Sequence, residues 1–398
     1  MNQSVQSIKI LSVVGARPNF IKIAPIARTI EEHNSKDCIP TINHLIVHTG
    51  QHYDDMMSSR FFEDLELPKP HVNLDVGSAT HAVQTAKIME RFEPILLKEQ
   101  PDVLLIVGDV NSTVACTLVA SKIQYNGTAK RLRPIIGHIE AGLRSFDRDM
   151  PEEINRILTD ALSDLLFITE ESARINLERE GIPYEKIHFV GNVMIDTLIK
   201  HLEKASTLNT LASIGLKREK LSKGYGVITL HRPSNVDTET TLSSLVKCIE
   251  NIAKELPLIF SLHPRTRVNL KRFGIYDDLA KNSRIYLTEP LGYLEFLNLL
   301  SSATMVLTDS GGIQEETTFL QVPCITLRSN TERPVTVSIG TNYLVGVNPD
   351  KILETAFSIL NKREKRGTVP PLWDGKAGKR ILEILINYLE NGGNYSKS

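Results

Sequence analysis

The sequence predicts an α/β protein built from two doubly wound, parallel-sheet domains. Three observations carry this. The chain has 398 residues, more than one ordinary core accommodates. Short apolar runs recur along its whole length and read as buried strands. Amphipathic helical stretches lie between most of them, the order expected of parallel sheets covered on both faces.

In the first half, strand-like runs fall at 8–14, 44–48, 103–107, 135–139, 165–168 and 187–190, with helical patterns at 21–33, 80–100 and 152–164. The last of these helices starts just behind Pro151, whose fixed φ and missing N–H suit a first turn. The second half repeats the theme, with strands at 226–230, 258–262, 285–287, 305–307, 324–327 and 343–345 and a helix at 242–255. Gly191-Asn192-Val193 marks the boundary, and the polar stretch 204–223 reads as a loop-rich start to the second half. A Gly-rich turn from Trp373 to Lys379 precedes a final amphipathic helix at 380–390. The expected domains are therefore 1–191 and 192–375, with a C-terminal helix in 376–398 crossing back to the first.

Composition narrows the function. A net charge of −1 gives no support for a nucleic-acid or membrane-surface partner. The four cysteines, Cys38, Cys116, Cys248 and Cys324, are far apart and form no CxxC pair. They fit a reducing cytoplasm better than a disulfide framework or a zinc site, and no metal cluster is evident. No signal segment or membrane-length apolar run is present. The Rossmann dinucleotide fingerprint, the P-loop, HExxH and GxSxG are all missing, so no bound cofactor is expected.

The richest segment is Thr308-Asp309-Ser310-Gly311-Gly312-Ile313-Gln314-Glu315-Glu316, where a buried strand hands over to a helix. Backbone N–H groups and the positive end of the helix dipole suit a phosphate there, and the two glycines allow close approach. Glu316, about one turn in, is placed to accept a ribose diol. Other strand ends carry chemistry too. Arg17 and Lys22 follow the first strand as potential diphosphate cations. Asp109 and Glu140 close two further strands. Glu152 opens a helix with Arg156 four residues on, on the same face. Carboxylates crowded together push their pKa values apart, as general acid–base work requires. In the second half His231 and the pair His263 and Arg265 sit at strand ends, Leu291 to Phe296 offers an aromatic wall, and Arg333 adds a cation.

Together these segments resemble the non-hydrolysing UDP-N-acetylglucosamine 2-epimerases. The likeness runs from about residue 8 to about 389 through GARPxxIK at Gly15, GQH at Gly50, GD at Gly108, HIEAGLRS at His138, MPEEINR at Met150, HRP at His231, HPRT at His263, TDSGGIQEE at Thr308, TERP at Thr331 and DGKAGKRI at Asp374. The resemblance implies two Rossmann-like domains facing a central cleft, the GT-B fold, in a cytoplasmic homodimer of envelope polysaccharide synthesis. It places the diphosphate on Arg17, Lys22, Ser310, Gly311 and Gly312, the ribose on Glu316, the uracil between Leu291 and Phe296, and Arg333 near sugar and phosphate. The catalytic groups implied are Asp109, Glu140, Glu152 and His231, with Arg156 supporting Glu152. Gln51 and His52 match a segment where some bacterial members bind an activating substrate molecule, but 73–84 is unlike those members.

The implied reaction inverts C2 of a UDP-N-acetylhexosamine. That C–H has no adjacent carbonyl and is barely acidic. Without a nicotinamide, the route open is loss of UDP from C1 as a base removes the C2 proton. The product is a 2-acetamidoglucal, to which UDP re-adds as a proton reaches the other face. The alternatives are a GT-B glycosyltransferase, or an epimerase of a modified UDP-sugar such as a diacetamido uronic acid.

Overall fold

The computed structural model describes residues 7–50, 66, 69–125, 131–216, 221 and 223–391. The chain forms two compact units, Met1–Thr197 with Pro371–Ser398, and Leu198–Pro370.

The first unit is built on a seven-stranded parallel sheet: β1 (Ser7–Val14), β2 (Thr41–His48), β3 (Val72–Asn73), β4 (Val103–Val107), β5 (Ile135–Ile139), β6 (Leu165–Ile168) and β7 (Ile187–Phe189). Their order is β3-β2-β1-β4-β5-β6-β7, with Ile10 opposite Val103 where the winding reverses. β4 and β5 are buried along their whole length, which is why they read as unbroken apolar runs. Leu11, Leu104 and Ile136 meet Ile88, Phe92 and Leu96 of helix His81–Glu99 in one core.

The second unit holds a six-stranded parallel sheet ordered β10-β9-β8-β11-β12-β13. Its strands are β8 (Gly226–Thr229), β9 (Leu258–Ser261), β10 (Ile285–Thr288), β11 (Met305–Thr308), β12 (Cys324–Thr326) and β13 (Asn342–Leu344). Alternate residues feed opposite cores: Ile228 and Phe260 pack on one face, Val227 and Ile259 on the other. The winding reverses between β8 and β11, and in such sheets ligands bind beyond the strand ends at that point.

Every expected strand is present, and β3 is the addition. Two residues are too few to show a periodicity. The unit boundaries fall after Thr197 and Pro370, where the sequence suggested 191 and 375. Side-chain anchoring explains the positions. Helix Val193–Ser206 starts inside the first unit, where Thr197 Oγ1 donates to the Ile21 carbonyl at 2.6 Å. Asp196 caps the final helix, Ala377–Glu390, accepting from Ala377 N at 3.2 Å and Gly378 N at 2.8 Å. Trp373 Nε1 donates to the Thr169 carbonyl at 3.0 Å, so the C-terminal segment is tied to the first unit before its helix begins. Among the described residues no helix is long and apolar enough to cross a membrane.

Candidate active site

In the first unit, the site is assembled at the ends of β4 and β5. Lys22, on helix Arg17–Asn34, places Nζ on Glu140 Oε2, and both side chains are buried. Glu140 leaves β5 with a left-handed backbone, φ +68°. Gly108, beyond β4, is also left-handed at φ +72°, and a Cβ there would lie 3.3 Å from Lys22 Nζ. Gly108 turns the chain so that Asp109 projects ahead of helix Asn111–Lys122. Asn19 fixes the neighbouring loop: its Oδ1 accepts from Gly15 N at 3.1 Å and Ala16 N at 2.8 Å, and its Nδ2 donates to the Val107 carbonyl at 2.9 Å. Arg17 opens the same helix, one residue past Ala16.

Arg156, on helix Pro151–Leu162, binds the Asp109 carboxylate through Nη1. Its Nε and Nη2 donate to Glu153 Oε2 at 3.1 and 2.6 Å. The structure thus corrects the expected pairing of Arg156 with Glu152. Glu153, Arg156 and Asp160 share the buried face of that helix, whereas Glu152 is exposed at its start. Glu153 also accepts from the amides of Ser145 at 3.0 Å and Phe146 at 2.8 Å. Burial pushes the Glu153 carboxyl upward, but the Ser145 amide and Arg156 outweigh it and leave it below the usual range. Sequence reasoning missed Glu153. The signal was the doubled Glu after Pro151, of which the second is the one that meets Arg156.

In the second unit, Ser310 caps helix Gly311–Leu320 with extended backbone, and its side chain makes no cap hydrogen bond. A Cβ on Gly311 would lie 2.7 Å from Arg333 Nη1 and 2.9 Å from Glu332 Oε1, so any side chain there would displace this guanidinium. Arg333 is buried, with Nε 2.9 Å from Glu315 Oε1 and Nη1 2.6 Å from Glu332 Oε1. Glu332 in turn binds Arg328 Nη2 at 2.8 Å. Gly312 follows Gly311 in the first turn. Glu316 lies deeper, its carboxyl pushed up to about 8 by burial and then by the Glu315 charge, against the Tyr293 hydroxyl. Leu291 and Phe296 are half-buried and pack on the core formed by Leu216, Tyr225 and Val227.

His231, beyond β8, places Nδ1 2.8 Å from Asp309 Oδ1, with its ring partly exposed. Asp309 is fully buried and also accepts from the amides of His231 at 3.0 Å and Arg232 at 2.9 Å, and from Asn235 Nδ2 at 3.1 Å. Burial pushes Asp309 up, but the hydrogen bond and charge of His231 and the two amides more than offset it, so it stays ionised. Asp309 therefore orients the imidazole with its proton on Nδ1. The His263 ring lies 5.6 Å from that of His231, centroid to centroid. Burial, then the His231 charge, lowers the His263 pKa.

Each unit thus gathers its own set. Lys22, Asp109, Glu140 and Arg156 converge in the first, without Glu152. Ser310, Gly311, Glu316 and Arg333 line one helix start in the second, with His231 on the neighbouring strand end. Gln51 and His52 lie outside the described residues.

Comparison with known proteins identifies the family. Residues 36–386 match the family model for UDP-N-acetylglucosamine 2-epimerase. The UDP-N-acetylglucosamine 2-epimerase of Methanocaldococcus jannaschii is 45% identical over 95% of this chain and 99% of its own. The UDP-2,3-diacetamido-2,3-dideoxy-D-glucuronate 2-epimerase of Pseudomonas aeruginosa is 40% identical, with 95% and 99% covered. Among solved structures, the M. jannaschii enzyme in complex with UDP-GlcNAc and UDP aligns with a TM-score of 0.84, covering 96% of this chain and all of that one. A lipopolysaccharide outer core galactosyltransferase, WaaB, at 13% identity and a TM-score of 0.54 over 96% of this chain and 99% of its own, shares the fold alone. With one family model spanning most of its length and near-complete relatives at this identity, the chain belongs to the UDP-N-acetylglucosamine 2-epimerase family.

Proposed function

We propose that the protein reversibly converts UDP-N-acetylglucosamine to UDP-N-acetylmannosamine, with no cofactor, by elimination and re-addition of UDP. In the forward direction the C1–O bond breaks and its electrons leave with UDP. A base takes the C2 proton, and the C1=C2 bond of 2-acetamidoglucal forms. In the return step a proton is delivered to the opposite face of C2 and UDP closes on C1.

The observation that carries this reading is the buried Lys22–Glu140 pair set beside the Arg156-held Asp109 at two strand ends. Abstracting a barely acidic proton calls for preorganised carboxylates, shielded from water and held by fixed counter-ions. Asp109, Glu140, Glu152 and His231 are the acid–base groups of the proposal. Arg17, Lys22, Ser310, Gly311, Gly312 and Arg333 serve the diphosphate, Glu316 the ribose, and Leu291 and Phe296 the uracil. Asp309 leaves His231 Nε2 as the nitrogen that exchanges protons. The reading includes a cytoplasmic homodimer, whose size light scattering of the purified protein would check.

Proton NMR of the protein with UDP-N-acetylglucosamine in heavy water tests the reaction. Deuterium at C2 of both epimers is the expected result. Free N-acetylmannosamine plus UDP would make it a hydrolysing enzyme. No exchange would overturn the reading for this sugar, and turnover of the diacetamido glucuronate nucleotide instead would move the chain to the specificity of its Pseudomonas relative.

A further inference from the structure

We propose that His138 is a positioning residue for this reaction: it clamps the peptide before Asp109 and so fixes Asp109 relative to Glu140. The proposal rests on the function just proposed. His138 lies on β5, two residues before Glu140, and is fully buried. Both ring nitrogens are engaged. Nε2 lies 2.9 Å from the Gly108 carbonyl, and Nδ1 lies 2.6 Å from Asp160 Oδ1. A carbonyl oxygen only accepts, so Nε2 carries a proton and donates it. Asp160 holds the ring from behind and is itself fixed by Gly142 N at 3.0 Å and Arg144 Nη2 at 2.7 Å on its other oxygen.

The bonded carbonyl belongs to the peptide that joins Gly108 to Asp109. On the other side of Gly108, its N–H donates to the Ile139 carbonyl at 3.2 Å. Both peptides flanking this left-handed glycine are therefore pinned to β5, the strand that runs directly into Glu140. Asp109 is then tied at its own carbonyl by Asn155 Nδ2, at 2.9 Å, and at its carboxylate by Arg156. A reaction that moves protons at one carbon with two carboxylates needs their separation fixed, and a displacement of about 1 Å can cost about 10²-fold in rate. The His138 side chain supplies such a tie within the first unit.

His138→Asn and His138→Gln separate this role from plain core packing. The Asn amide occupies the place of Nδ1 and answers Asp160, but leaves the Gly108 carbonyl unheld. The Gln amide reaches the place of Nε2 and can restore the donor. Expected is a loss in kcat of about 10²-fold for Asn and recovery of at least about tenfold of it in Gln. KM and UDP affinity should stay within about threefold, since His138 is bonded to Gly108 and Asp160 and to none of the residues proposed for the nucleotide. In the wild type, NMR should show a slowly exchanging His138 Nε2 proton. The proposal is overturned if Asn keeps kcat within threefold, if both variants lose kcat equally in step with Tm, if neither folds, or if Nε2 is unprotonated. A wild type that is silent on UDP-sugars would instead sink the proposed function, while an active wild type with indifferent variants sinks only the role of His138.

Discussion

Glu140 combines a left-handed backbone, an almost fully buried carboxylate and a lysine counter-ion, and these act on different properties. A non-glycine residue in that region of φ/ψ costs about 1–3 kcal/mol and persists where the surroundings over-determine it. Glu140→Gln keeps shape and backbone while removing the charge. It should lower kcat by about 10²–10⁴-fold and leave UDP affinity within a few-fold, read by steady-state kinetics and calorimetry. Glu316 has the opposite problem, for it is buried next to Glu315 with a carboxyl pushed up to about 8 from an ordinary 4.5. Between those values the folded chain binds the extra proton, so this group makes stability fall as pH rises through the window. Thermal melts across it should show a shallower fall for Glu316→Gln than for wild type. Asp309, held below its ordinary 3.8, works the other way: its contribution is present above that value and is lost only as acid protonates it.

The helix start proposed to bind the diphosphate in the second unit is defined by what a side chain would displace. At Gly311 an added methyl group meets the Arg333 guanidinium, which two buried carboxylates hold in place. Gly311→Ala should therefore push Arg333 off Glu332, cost about 1–3 kcal/mol in denaturant unfolding and weaken UDP binding measurably in titration calorimetry. The final helix depends on Asp196 at its start. Asp196→Ala leaves the amides of Ala377 and Gly378 without their acceptor and should cost about 1–2 kcal/mol of stability, measured the same way. Such elements were legible because parallel strands buried on both faces write themselves as unbroken apolar runs, and strand ends then point to the site. The ion pairing was not legible. Whether Glu152 or Glu153 meets Arg156 depends on which side of one helix turn faces inward, and both spacings are allowed on a helix surface. His138 hid for a related reason. A histidine inside an apolar strand reads as core until its two partners, Gly108 and Asp160, are brought in from distant positions.

At the scale of the whole molecule, the doubly wound architecture and the order of its elements were readable from the alternation alone, and the family from its ordered motifs. The outcome for the two units is less obvious from sequence, because the first is discontinuous, taking in everything before Leu198 and everything after Pro370. Its helix Arg17–Asn34, which carries Lys22, packs against the C-terminal helix Ala377–Glu390. Chains emerge from the ribosome N-terminus first, and domains generally fold as units in that order. Here the order is inverted. Residues 198–370 can complete their sheet while the last segment is still in the exit tunnel, whereas the unit begun first lacks a wall until Ala377–Glu390 emerges. A released chain truncated just short of Ala377 should therefore protect the second unit from protease and leave the first open to it, so that the groups proposed for catalysis in the first unit become competent only once that helix is present.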